Sequence, residues 1–82
     1  MSIQGNVERA LRDLDERGVV VLQDPEIDTT KIVRQPNGWD VDITVVFADG
    51  DGYGCFYFER SRQRVEETIR SWFIQLAQLE SL

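Results

Sequence analysis

The sequence predicts an α+β fold, a single small domain of order α-β-β-β-β-α in which N- and C-terminal amphipathic helices pack on an antiparallel meander sheet. Three observations carry this. Apolar residues recur at helical spacing near both ends of the chain, residues between them alternate with a period of two, and glycine- or proline-bearing turns punctuate the alternating runs. At 82 residues the chain lies well below the length at which cores divide, so residues 1–82 are expected to form one domain.

Val7, Ala10, Leu11 and Leu14 recur at steps of three and four with charged residues between them, which predicts a first helix over residues 7–17. Asn6 is its expected N-cap, and Gly18 its left-handed stop after the basic Arg17. Val19-Val20-Val21-Leu22 is β-branched and short, a strand ended by Asp24-Pro25. Thr29 to Arg34 reads as a second strand, and Pro36-Asn37-Gly38 as a hairpin turn. The clearest alternation follows: Trp39, Val41, Ile43, Val45 and Phe47 interleave with Asp40, Asp42, Thr44 and Val46, a strand buried on one face. Asp49-Gly50-Asp51-Gly52 turns the chain into a fourth strand, Tyr53 to Arg60. Ser61 caps a last helix that presents Val65, Ile69, Trp72, Phe73, Leu76 and Leu79 as an apolar stripe and runs to about Leu79.

Turn length decides which strand faces coincide. An even-numbered turn across Asn37-Gly38 sets Ile32 with the buried set and Lys31 near Asp42 or Thr44. A two- or four-residue turn between the last two strands sets Phe56 and Phe58 with Val41, Ile43, Val45 and Phe47 under the last helix. Tyr53, Cys55, Tyr57 and Glu59 then join Asp40, Asp42, Thr44 and Val46 on the other face. If the first helix covers that second face, the tyrosines are core; if not, tyrosines beside acids compose a docking surface.

Charge and composition narrow the function classes. The formal net charge of −6 disfavours nonspecific binding to nucleic acid or acidic lipid, which needs an electropositive face. Residues 1–59 hold twelve acids and five bases, residues 60–82 three acids and four bases, so the surface is expected to be bipolar. The longest uninterrupted apolar run is Val19–Leu22, and the first residues lack the basic and apolar regions of a signal peptide, so the expected location is the cytoplasm, with no membrane partner. With no histidine and one cysteine, Cys55, neither an internal disulfide nor the usual zinc ligand sets can form.

The same absences argue against general acid–base or nucleophilic catalysis, so the chain is expected not to be an enzyme and to need no cofactor. Asp40, Asp42 and Glu59 resemble a glycosidase pair only in residue type, since so thin a core leaves no sugar cleft. Asp49-Gly50-Asp51-Gly52 shares glycine and acids with calcium loops, yet the position of the bidentate glutamate is Arg60, and a tight turn demands the same residues. Arg60, Arg62 and Arg64 stand at a helix start, where the dipole favours anions. They form either a secondary anion or partner site or a set of ion pairs with Asp42, Glu59, Glu66 and Glu67.

Two function classes remain. In the first, a non-catalytic inhibitor or adaptor docks an acidic face built from Asp40, Asp42, Asp49, Asp51, Tyr53, Tyr57 and Glu59 on a basic protein surface such as a nucleic-acid-binding channel. In the second, a structural homo-oligomer or assembly factor, such as a homodimer, pairs through exposed tyrosines or through Trp72, Phe73, Ile74 and Leu82 of the last helix. In length, acidity and lack of catalytic residues the chain is similar to small phage-encoded inhibitors, including anti-CRISPR proteins. That likeness is one of composition and carries no residue across.

Overall fold

The computed structural model describes residues 2–46 and 50–81. Helix α1 (Ile3–Arg17) leads into strands β1 (Val19–Gln23), β2 (Thr29–Gln35), β3 (Gly38–Val46) and β4 (Gly52–Glu59), and helix α2 (Arg62–Glu80) follows. The four strands lie in sequence order, each antiparallel to the next, as the meander predicts.

Helix α1 begins one turn earlier than the spacing from Val7 suggests. Ser2, not Asn6, is the N-cap, its hydroxyl accepting from the Gly5 N–H at 3.0 Å. Ile3 lies four positions before Val7, on the same helix face, and packs against the core, which offsets the low helix propensity of Gly5-Asn6. Gly18 takes the left-handed conformation at φ 78° and its N–H returns to the Leu14 carbonyl at 2.9 Å. Its own carbonyl accepts from the Arg34 N–H at 2.8 Å, so the helix stop is also an anchor of β2. Between β1 and β2, Asp24 organises the turn: its carboxylate accepts from the Glu26 N–H at 2.9 Å, with Pro25 pre-setting the bend.

Both helices lie on one face of the sheet. A single core cluster joins Val7, Ala10, Leu11 and Leu14 of α1, Val65, Ile69 and Trp72 of α2, and Val20, Leu22, Ile32 and Val41 of the strands. Three polar links tie this layer together: Arg62 meets Asp15 at 2.6 Å, Arg70 donates to the Gln4 side chain at 2.6 Å, and the Trp72 indole donates to the Asp28 carbonyl at 3.3 Å. Among the described residues no helix is long and apolar enough to cross a membrane.

The face assignment of β4 differs from the expected one. Val41 opposes Tyr57, Ile43 opposes Cys55 and Trp39 opposes Glu59, so these residues share the helix-covered side. Phe56 and Phe58 oppose Asp42 and Asp40 on the other side. The cause is turn length: five positions, 47–51, separate the paired Val46 and Gly52, and an odd count reverses the parity that a two- or four-residue turn would set. Across the β2–β3 turn the expected register holds, with Ile32 opposite Val41 and Lys31 opposite Asp42. Phe47 and Asp49 lie outside the described residues.

Candidate docking face

Because both helices pack on one side, the other side of the sheet stays open, and its side chains form three cross-strand rows. The first is Val19, Val33, Asp40 and Phe58; the second Val21, Lys31, Asp42 and Phe56; the third Gln23, Thr29, Thr44 and Gly54. Phe56 is 68% exposed, Phe58 42% and Val21 50%. The Phe58 ring lies over the β2–β3 turn, where a Cβ at Gly38 would stand 2.7 Å from its Cζ atom and 2.5 Å from the Glu59 carbonyl oxygen. Only glycine fits beneath it.

The polar members of the face are held by their neighbours. The Gln35 carboxamide donates to the Asp40 carboxylate at 2.7 Å, fixing that acid beside Phe58. Asp42 is exposed and sits between Lys31 and Phe56 in its row. Lys31 stands directly across from Asp42, a favourable opposite-charge pairing. The composition is therefore apolar rings on the β4 side, carboxylates beside them, and aliphatic residues on the β1 side.

Of the seven residues expected to compose an acidic, tyrosine-bearing face, the five that lie in strands are divided between two sides. Asp40 and Asp42 are on the open face. Asp51 is exposed at the start of β4, and Asp49 lies outside the described residues. Tyr53, Tyr57 and Glu59 point to the helix side. Tyr57 is half-buried against the core, whereas Tyr53 is 59% exposed because α2 approaches β4 at few points. Glu59 is half-buried and its carboxylate accepts from the Ser61 N–H at 2.9 Å, so it serves the entry to α2.

Of the arginine run, Arg62 pairs with Asp15 of α1 and not with Asp42, Glu59, Glu66 or Glu67. Glu66 instead faces Arg70 at 3.9 Å. Arg60 and Arg64 are exposed and form no ion pair among the described residues. Among the described residues no group of three His, Cys, Asp or Glu side chains is placed to hold a metal ion. Cys55 is exposed on β4 with a free thiol.

Phe56 and Phe58 are the residues of this face that sequence reasoning missed. Phenylalanine in an alternating run reads as core, and only the five-position spacing between paired strand ends reveals that they point outward. An open concavity of about 500 Å³ lies elsewhere, between the β1–β2 turn and the end of α2, lined by Glu26, Ile27, Asp28, Val45, Gln78 and Leu79 among others. No protein-family model, curated protein or solved structure matches the chain, so a functional reading has to come from these surfaces themselves.

Proposed function

We propose that the chain is a non-catalytic protein-binding domain, a small inhibitor or adaptor that docks its open sheet face on a basic partner protein. The observation that carries this reading is the exposure of Phe56 and Phe58 directly beside the carboxylates of Asp42 and Asp40. An exposed apolar cluster rimmed by polar groups marks an interaction site, because leaving two large rings in water is costly unless something covers them. The adjacent acids and the net charge of −6 select a positively charged surface as the complement. The partner-binding residues are accordingly Asp40, Asp42, Phe56 and Phe58, in place of the tyrosine-bearing set.

Charge and rings divide the work. Carboxylates act over the distance set by the Debye length and steer the encounter, so their effect falls as salt shortens that length to about 3 Å near 1 M. The phenyl rings act on contact, and each truncation at a desolvated anchor is expected to weaken binding by about 2 kcal/mol, mainly through faster dissociation.

Affinity capture from a lysate of the source organism, followed by binding kinetics with the purified captured protein, tests this. The expected outcome is that Asp40→Lys with Asp42→Lys slows association at low salt and has little effect at high salt, while Phe56→Ala speeds dissociation at both. A partner that binds these variants like the wild-type chain would overturn the reading.

A further inference from the structure

In the order β1-β2-β3-β4, the β4 strand has a neighbour only in β3 among the described residues. An edge strand presents a second row of backbone N–H and C=O groups to any strand that can lie beside it. Soluble proteins usually blunt such edges with lysine, proline, a bulge or brevity. Strand β4 has none of these. It runs eight residues, Gly-Tyr-Gly-Cys-Phe-Tyr-Phe-Glu, with its one charge at the last position, and pairs with β3 from Gly52 to Glu59 without a bulge. The opposite edge, β1, is five residues long and has α1 packed along it.

We propose that β4 pairs antiparallel with β4 of a second copy of this chain, with Phe56 on the two-fold axis, so that two four-stranded sheets join into one of eight strands. The sequence of the strand selects a copy of itself as the occupant. In this register Gly54 of each chain opposes Phe58 of the other, so that no two large side chains meet at that position. Cys55 opposes Tyr57, again small against large, and the two Phe56 rings meet at the centre. Arg60 opposes Gly52 and reaches the end of the strand that Asp51 precedes, bringing opposite charges together at both ends at once.

Every contact is thus made twice, as an isologous interface requires. Opposed residues of an antiparallel pair share a face, so the helices of both copies lie on one side and the two open faces become continuous on the other. The pairing does not depend on the basic partner. It holds or fails by itself, and it would double the face on which such a partner docks.

Analytical ultracentrifugation of the full chain, together with disulfide trapping, tests it. The wild-type chain is expected to sediment at twice its 9.5 kDa mass, and Phe56→Lys, at a site whose exposure leaves folding intact, at the single mass with an unchanged far-ultraviolet circular dichroism spectrum and a lower melting temperature that no longer depends on concentration. In a Cys55→Ser background, Phe56→Cys is expected to form an interchain disulfide on mild oxidation, because only position 56 meets itself across the axis, whereas Phe58→Cys opposes Gly54 and stays reduced. A wild-type chain that is monomeric at submillimolar concentration overturns the proposal. So does a dimer that survives Phe56→Lys, or one trapped by Ile74→Cys on α2 in place of Phe56→Cys.

Discussion

Val7, Val41, Val65, Ile32, Ile69 and Leu14 are the side chains most completely removed from water, and they come from both helices and the two central strands. Truncating one leaves a cavity that the thin core cannot refill. Ile69→Ala is expected to lower unfolding free energy by about 2–5 kcal/mol in urea titrations. Phe56→Ala removes a larger side chain yet is expected to change stability by less than about 1 kcal/mol, because its ring is already largely in water. A Phe56 variant that unfolds as readily as Ile69→Ala at concentrations low enough for the chain to be monomeric would show that the ring is covered in the isolated chain. Val41 and Ile32 were legible as core from alternation and the even-numbered turn across Asn37-Gly38 alone. Phe56 and Phe58 were not, since residue type argues for burial at both positions and only the pairing register decides against it. The expected docking face shares that error: Asp40 and Asp42 are on the open side, whereas Tyr53, Tyr57 and Glu59 are on the helix side.

Among elements, turns and caps carry the information that periodicity lacks. The start of α1 depends on Ile3 gaining core contact, a tertiary effect that overrides local propensity at Gly5-Asn6. The start of α2 was legible because Ser61 is the cap in both local and tertiary terms, its hydroxyl accepting from the Arg64 N–H. Two glycines hold elements in place by different means. At Gly18 the backbone is left-handed with open space around it, so Gly18→Ala is expected to cost about 1 kcal/mol through backbone strain alone. At Gly38 an added Cβ meets the Glu59 carbonyl and the Phe58 ring, so Gly38→Ala must displace β4. The expected outcome is a larger loss for Gly38→Ala, with amide exchange accelerated in β4; equal losses and unchanged β4 protection would contradict this account.

At the scale of the molecule, two helices side by side cover one face of a four-stranded sheet and leave the other to water. This architecture was legible as an element order but not as a layering, because neither helix pattern states which sheet face it seeks. The helix layer has a further consequence, for how the chain reaches this state. Each strand pairs with its neighbour in sequence, so the sheet can zip from local hairpins. The clasp between helices is remote: Arg62 reaches Asp15 across 47 positions and Arg70 reaches Gln4 across 66. Closing so long a loop costs entropy before its contacts are gained, which places the clasp late in folding. Leu11→Ala in the clasp is therefore expected to act mainly on the unfolding limb of a stopped-flow chevron, and Val41→Ala in the meander to slow refolding. The two ends of the chain, meeting last, would be the first to part.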